Sequence, residues 1–202
     1  YGELKNSKIV ENGEICPLNY YGLTHKMSED ICEFFSNKYN IKTLNIRLSN
    51  SFGYPIFKND KCWDLVVNNL CKMAIDKKEI KLQSDGTPLR DFIHGDEICN
   101  YIESIICYYN YDELNELNTL NLAYGETYSI AQLAIIISKC YHGLFNSQIN
   151  IFLNDGSMLN KNISLSKSQL KSLSIDRINS LGYSPKISIN TRIENLLKTL
   201  SN

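Results

Sequence analysis

Apolar residues recur at helical spacing in several parts of the chain, and short apolar runs separate these parts. A spacing of three to four residues predicts a helix because such residues share one helical face. Short runs rich in β-branched residues predict strands. The predicted helices span residues 21–39, 63–76, 96–109 and 191–200, and a further helix opens at Ser129. The predicted strands span residues 41–48, 80–83, 92–93, 119–123 and 149–153.

Strands and helices alternate along this pattern, which predicts an α/β protein with a parallel sheet. Ser129 is a favourable first residue for its helix because a serine hydroxyl can accept a hydrogen bond from an unpaired backbone N–H there. Residues 1–19 carry no such periodicity and are predicted to form a loop. No repeat of 20 to 50 residues is visible, so a solenoid or propeller is not expected.

Composition narrows the class of protein. The chain has 202 residues, of which 43% are hydrophobic and 21% charged, as in ordinary globular proteins. A formal net charge of −1 offers no basic field for nucleic acid. No apolar stretch reaches the roughly 20 residues that a membrane helix needs. We therefore expect a cytoplasmic protein that binds neither nucleic acid nor membrane.

The seven cysteines are scattered without a CxxC pair. Such cysteines are predicted to be small buried thiols, and no metal site is expected. The ten glycines are equally dispersed, and none lies within two positions of another. A Rossmann fold needs a glycine-rich turn because only glycine lets the backbone approach a pyrophosphate closely. We therefore expect most of any dinucleotide site to lie outside this chain.

Four segments suggest a family when they are taken in order. They read PLNYYGLTHKMSE at residues 17–29, RLSNSFG at 47–53, GTPLRDFIHGDE at 86–97 and NLAYGETYSI at 121–130. In this order they resemble the extended short-chain dehydrogenases/reductases, the NAD-dependent family of nucleotide-sugar epimerases and dehydratases. An LGYSP segment at residues 181–185 is similar to the family's LGWxP. The resemblance therefore extends over most of the chain.

The resemblance implies an enzyme that oxidises a sugar hydroxyl by hydride transfer to NAD or NADP. The sugar would be carried on a nucleoside diphosphate and would serve cell-surface polysaccharide assembly. Tyr21 would be the catalytic base, and His25 would orient the cofactor ribose. Epimerisation, dehydration and simple dehydrogenation stay open as the overall reaction.

The resemblance also implies substrate-binding residues. Asn50 and Arg90 would hold the diphosphate, for which a guanidinium offers paired donors and a permanent charge. Trp63 and Asn69 would lie on a helix that covers the sugar nucleotide. Core packing explains Trp63 nearly as well, and Asn50 or Arg90 could instead be ordinary loop residues that bond to the backbone. Asp96 is interpreted as structural.

The family's architecture implies a division of the chain. Residues 1–50 and 91–113 would belong to the NAD(P)-binding Rossmann domain, and residues 51–90 and 114–202 would form a smaller α/β substrate-binding domain. The Rossmann-like parallel sheet would be partial, with its N-terminal half missing, and this fragment alone is expected to be inactive. A homodimer is expected through a helix bundle that includes residues 21–39.

One position departs from the family. The basic residue four places after the tyrosine is lysine in the family, whereas this chain has His25, followed by Lys26. On a helix, the fourth residue lies about 40° from the first and the fifth about 140° away, so Lys26 is expected on another face. A free imidazole, with a pKa of about 6.5, is mostly neutral at pH 7 and favours a tyrosinate only weakly.

Three explanations of this departure stay open: a weaker electrostatic assist, a helix irregularity that brings Lys26 round, or a loss of catalysis. The last of these leads to the alternative hypothesis of a non-catalytic protein. Such a protein would bind a nucleotide sugar, or regulate another protein, on the same fold.

Overall fold

The computed structural model of the chain describes residues 1–2, 8–55, 61–108, 118–160 and 172–201. The helices of these residues are α1 (Tyr20–Tyr39), α2 (Val66–Lys77), α3 (Gly95–Tyr108), α4 (Ile130–Phe145), α5 (Asp176–Ser180) and α6 (Ile189–Leu200). A short 3₁₀ helix, Lys61–Asp64, precedes α2. The strands are β1 (Lys8–Ile9), β2 (Asn45–Leu48), β3 (Asn50–Phe52), β4 (Glu79–Lys81), β5 (Leu89–His94), β6 (Thr119–Leu122), β7 (Thr127–Ser129), β8 (Asn150–Phe152) and β9 (Ser172–Leu173).

The strands pair mostly in parallel, as the alternating pattern predicts. Parallel pairs join β1 to β9, β2 to β6, β3 to β5 and β4 to β8. The exception is β7, which runs antiparallel to β5 and makes β5 the central strand of a three-stranded sheet. The mixed α/β architecture that the sequence predicts is therefore confirmed.

Several boundaries differ from the predicted ones. The loop predicted for residues 1–19 is wrong at β1, which pairs with β9 near the other end of the chain. The strand predicted from residue 41 begins at Asn45, after Asn40 has ended α1 in a left-handed conformation. The helix predicted over 63–76 is divided into the 3₁₀ helix and α2. The end of the helix predicted to reach residue 109 lies outside the described residues.

Side-chain caps fix where two of the long helices begin. Ser129 accepts a hydrogen bond from the backbone of Gln132, and the Gln132 side chain accepts one from the Ser129 backbone, which is a complete capping box. The predicted role of Ser129 is thus confirmed. At the start of α1, the Asn19 side chain accepts a hydrogen bond from the backbone N–H of Gly22 at 2.9 Å.

The buried apolar residues form two clusters on opposite faces of β5. Phe92 belongs to a large cluster formed mainly by α2, α4 and α6, whereas its neighbour Ile93 belongs to a smaller cluster with α3 and β6. Successive strand residues face opposite sides, so β5 is covered on both faces. In contrast, the 20-residue helix α1 contains no buried residue.

The cysteines are less buried than the sequence suggests. Only Cys71 and Cys140 are buried, and Cys16, Cys99 and Cys107 are exposed. The prediction of buried thiols is therefore wrong for most of them, because helix periodicity does not show whether another element covers the face. None of the described helices is long and apolar enough to span a membrane.

Two glycines give a matched test of the turn before β5. Gly86 has a φ of +81°, and a Cβ there would lie 2.8 Å from the Cβ of Ala131, on α4. Gly86→Ala should lower the free energy of unfolding by about 2 kcal/mol or more, because it adds both backbone strain and overpacking. Gly143, inside α4, has no atom within 4 Å of its position for a Cβ. Gly143→Ala should instead stabilise by about 0.5 kcal/mol.

Urea unfolding of both variants measures these changes. Small and equal changes in the free energy of unfolding at the two positions would show that the turn at Gly86 tolerates a side chain. Close packing of Gly86 against α4 would then not contribute to stability.

Candidate active site

The first two turns of α1 place Tyr21 and His25 side by side. Their ring centroids are 4.4 Å apart with an interplanar angle of 59°. The expectation that His25 shares the helical face of Tyr21 is therefore confirmed. Tyr21 is 75% exposed, so its phenol is open to a reaction partner.

A cleft of about 430 Å³ lies beside this pair, between α1 and β2. Gly22, Lys26 and Glu29 line it together with Tyr21 and His25. Lys26 stays on another helical face than Tyr21, as the spacing in α1 predicts, but the cleft takes in more than one face of the helix and Lys26 also lines it. The Lys26 ammonium forms an ion pair with Asp30, one turn later on α1.

Arg47 anchors α1 to β2 at the wall of this cleft. Its Nε and Nη2 donate to the two carboxylate oxygens of Glu29 at 2.8 and 2.7 Å, and its Nη1 donates to the carbonyl oxygen of Glu11 at 2.8 Å. Its guanidinium also lies 4.8 Å from the centre of the Tyr1 ring. Burial alone would lower the pKa of Arg47, but the hydrogen bonds to Glu29 and Tyr1 raise it above its ordinary value. Arg47 is therefore permanently charged.

A buried polar cluster continues from Arg47 to β6. The Tyr1 phenol donates to the side-chain carbonyl of Asn121, and the Asn121 backbone N–H donates to the Glu11 carboxylate at 3.0 Å. The Asn121 amide also donates to the carbonyl oxygen of Ser174 at 3.1 Å. Burial raises the pKa of Tyr1, so its phenol stays protonated. In the sequence, Asn121 is recognisable only as part of a motif. The hydrogen bonds that Tyr1 and Glu11 form with it could not be predicted.

Asn50 and Arg90 lie on neighbouring strands of the three-stranded sheet. Asn50 is in β3 and pairs in register with Phe92 on β5, two residues after Arg90. Because strand residues two apart share a face, Asn50 and Arg90 lie on the same face of this sheet. The Asn50 amide donates to the carbonyl oxygen of Asp91 at 3.0 Å. Arg90 is exposed. Its Nη1 donates to the carbonyl oxygen of Leu89 at 2.8 Å, and no described carboxylate forms an ion pair with it.

Asp91 organises the loop beside these two residues. Its carboxylate oxygens accept hydrogen bonds from the backbone N–H groups of Tyr124 at 2.9 Å and Gly125 at 2.7 Å. Burial raises the pKa of Asp91, although these two N–H groups lower it. Gly125 has a φ of +85°, and a Cβ there would lie 2.7 Å from the Ile175 side chain. Asp91 belongs to the motif at residues 86–97, but its hydrogen bonds to the loop at Tyr124 and Gly125 were not predicted.

Trp63 and Asn69 meet at the start of α2. The Asn69 amide donates to the carbonyl oxygen of Trp63 at 3.1 Å. Asn69 lines a second cleft of about 350 Å³ with Lys81, Gln83 and other residues. The Trp63 ring lies near Tyr54 and Lys72 and belongs to neither core cluster. Among the described residues, the two core clusters therefore do not account for the position of Trp63.

The residues predicted to form one site thus lie in three groups. Tyr21 and His25 line the first cleft, Asn69 lines the second, and Asn50 and Arg90 line neither. The structural interpretation of Asp96 agrees with its contacts, because its carboxylate bonds to Arg192 on α6 at 2.6 Å. This hydrogen bond joins the start of α3 to α6.

A comparison of the sequence with protein-family models identifies the family of the chain. The model described as the NAD dependent epimerase/dehydratase family matches residues 1–131, which include the Tyr21, Asn50 and Arg90 segments. The chain belongs to the NAD dependent epimerase/dehydratase family. The predicted resemblance is therefore confirmed.

Two curated relatives support this membership. The dTDP-L-rhamnose 4-epimerase of Burkholderia thailandensis is 26% identical over 180 residues, which cover 89% of this chain and 46% of the relative. The uncharacterized UDP-glucose epimerase YtcB of Bacillus subtilis is 24% identical over 106 residues, covering 52% of this chain and 32% of that protein. The epimerase/dehydratase chain thus spans less than half the length of these relatives.

Solved structures share the fold of this family member. The UDP-glucuronic acid 4-epimerase of Bacillus cereus, in complex with UDP-glucuronic acid and NAD, superposes with a TM-score of 0.74 at 20% identity. The match covers 99% of this chain and 59% of that one. A UDP-N-acetylglucosamine 4-epimerase from Methanobrevibacter ruminantium matches with a TM-score of 0.69 at 18% identity, over 95% of this chain and 62% of that one.

The ion pair between Arg47 and Glu29 should contribute more to stability than surface pairs do. Their side chains are only 16% and 22% exposed, whereas those of the Lys72–Asp76 pair on α2 are 44% and 49% exposed. Glu29→Gln should lower the free energy of unfolding by about 1 to 3 kcal/mol, because it leaves a largely buried guanidinium without its counter-charge. Asp76→Asn should change it by about 0.5 kcal/mol or less. Urea titration at low and high salt measures both, and similar losses in the two variants would contradict the role of Glu29.

Proposed function

We propose that the protein interconverts nucleoside-diphosphate sugars by oxidising a sugar hydroxyl, with Tyr21 as the base. The observation that carries this proposal is the placement of the Tyr21 and His25 rings, with centroids 4.4 Å apart, in the first two turns of α1 beside an open cleft. Family membership supports the reaction class. The overall reaction would be an epimerisation, a dehydration or a simple dehydrogenation. The activity is proposed for the whole protein, because the chain spans less than half the length of its curated relatives.

The residues at the first cleft fit one end of a nicotinamide dinucleotide. The Tyr21 phenol and the His25 imidazole each offer a donor and an acceptor for ribose hydroxyls. Ile46 and Leu48 add apolar surface to the same cleft. Related solved structures hold NAD, and one, RMD from Pseudomonas aeruginosa, is complexed with NADPH. When bound, NAD or NADP would accept the two electrons that leave the sugar carbon.

The protein's own residues would handle the proton. Tyr21, as the phenolate, would take the proton of the sugar hydroxyl, and its 75% exposure leaves it accessible to a sugar in the cleft. His25 would hold the cofactor ribose and orient it against the phenol. Lys26, which lines the same cleft, is tied to Asp30 and would contribute less.

The diphosphate of the substrate would lie on the sheet face that presents Asn50 and Arg90. Arg90 has no carboxylate partner among the described residues. Its Nη1 bonds to the Leu89 carbonyl, and the rest of its guanidinium is available for an anion. The second cleft, which Asn69 lines, would take the nucleoside side of the substrate, with Trp63 beside it on the preceding 3₁₀ helix. The named relatives act on UDP- and dTDP-linked sugars, which supports this substrate class. The modified sugar would serve polysaccharide assembly.

Two architectural features belong to this proposal. Residues 1–50 and 91–113 would form part of the cofactor domain, with 51–90 and 114–202 in the substrate domain. A second copy of the chain would pack on α1, where Leu23, Met27, Ile31 and Phe34 form an exposed apolar row. Both features follow the family's expected architecture.

A non-catalytic nucleotide-sugar-binding protein is the second candidate. The observation in its favour is His25, which replaces the family's lysine beside Tyr21. This candidate keeps Asn50 and Arg90 as ligands and differs only in turnover.

The Tyr21→Phe variant separates these two candidates. It removes the proton acceptor but keeps the ring, so turnover should fall by roughly 100- to 10,000-fold while substrate affinity hardly changes.

His25→Lys should shift the rise of activity with pH to lower pH, because a fixed positive charge favours the phenolate. Both are measured in the full-length protein as NAD(P)H formation and sugar conversion with a panel of UDP- and dTDP-sugars. Tight binding by the wild type without turnover, between about pH 6 and 10, would establish the binding protein instead.

The Arg90→Ala variant tests the diphosphate site. Nucleotide-sugar affinity should weaken by about 1.5 to 3 kcal/mol, the range for a hydrogen bond to a charged group. Lys139→Ala is the matched control, because it removes one exposed positive charge from α4. Calorimetry should show a changed Kd only for Arg90→Ala. Equal Kd values for both variants would remove Arg90 from the site.

A further inference from the structure

Asn68 has a buried side-chain amide that forms two hydrogen bonds with the backbone of one residue, Gly53. Asn68 lies in the first turn of α2, is fully buried, and is followed by Leu70 and Cys71 in the large core cluster. A polar side chain in such surroundings is costly unless its hydrogen bonds are made. Asn68 uses both ends of its amide on one residue: its Oδ1 accepts from the Gly53 N–H at 3.1 Å, and its Nδ2 donates to the Gly53 carbonyl at 2.7 Å.

This pair of hydrogen bonds fixes the backbone just after β3. Gly53 has a φ of +150°, and a Cβ there would lie 3.2 Å from the His94 imidazole, so His94 confines it on the other side. Asn50, three residues earlier, is held by its own bond to the carbonyl of Asp91. The segment from Asn50 to Gly53 is thus tied at both ends, to β5 and to α2.

The same turn of α2 carries the second cleft. Asn69, the next residue, bonds to the Trp63 carbonyl and lines that cleft. Asn68 therefore links the helix that forms the cleft to the strand that presents Asn50. The two hydrogen bonds fix the position of α2 relative to the end of β3, because a fully buried amide is costly unless both of its ends stay paired.

We propose that Asn68 is a positioning residue that sets the distance between the cleft at Asn69 and the diphosphate-binding face at Asn50. This inference rests on the proposed function, since it assigns a geometric task to residues that hold the two parts of one nucleotide sugar. Asn68 itself contacts no substrate. Its loss should therefore weaken the binding of a nucleoside diphosphate beyond any effect on stability.

The Asn68→Asp variant tests this with little change in shape. The carboxylate keeps an acceptor for the Gly53 N–H but sets an oxygen against the Gly53 carbonyl. The Kd of UDP or dTDP, measured by calorimetry with the full-length protein, should rise by roughly tenfold. Lowering the pH should restore part of the affinity, because a protonated carboxylic acid can again donate to that carbonyl. Asn68→Ala should show the same loss without recovery.

Val67→Ala is the matched control, because Val67 is the preceding buried residue of α2 and does not touch Gly53 through a polar group. It should lower the Tm, yet leave the Kd within about twofold of the wild type. Equal Kd values for Asn68→Asp and Val67→Ala would overturn the positioning role. A wild-type protein that binds neither UDP nor dTDP would instead refute the proposed function.

If Asn68→Asp does not fold, Asn68→Ser provides the same comparison with a smaller polar group. Its hydroxyl is too short to span both Gly53 atoms, so its Kd should still exceed that of Val67→Ala. A Kd equal to the control value would again overturn the proposal.

Discussion

The bonds of Asp91 are the constraint on which the candidate substrate face depends. Its carboxylate holds the backbone of Tyr124 and Gly125, and its carbonyl oxygen accepts the bond from Asn50. One residue of β5 therefore fixes both β3 and the loop after β6, with Arg90 directly before it. The buried carboxylate is tolerated because two N–H groups replace part of its lost hydration. The rest of the face is arranged around this fixed point.

Much of the fold could be predicted because its causes are local. Amphipathic spacing gave the long helices, and the hydroxyl of Ser129 marked the start of α4. The pairing of Tyr21 with His25 follows from helical geometry alone, since residues four apart meet on one face. The family resemblance predicts roles for Asn50 and Arg90. Their positions on the paired strands β3 and β5 were not predicted, because the predicted strands 41–48 and 92–93 include neither residue.

The remainder could not be predicted because its causes lie far along the chain. The two-residue strands β1 and β9 exist only through each other, so neither carries a pattern of its own. The width of the first cleft, which admits Lys26, depends on where α1 stands over β2. The two hydrogen bonds between Asn68 and Gly53 join a residue that lies in no motif to the end of the motif at residues 47–53. Each requires tertiary contacts that periodicity does not encode.

The pairing of β1 with β9 has a consequence for the order of folding. Lys8 and Asp176, which form an ion pair beside these strands, are 168 residues apart in the chain. Closing so long a loop costs chain entropy before any contact repays it. We expect this corner to form after the local helices and the β3–β5 sheet, and to open first when the native state loosens. The amide of Asn121, which bonds to Ile9 and Ser174, would then mark the last step of assembly.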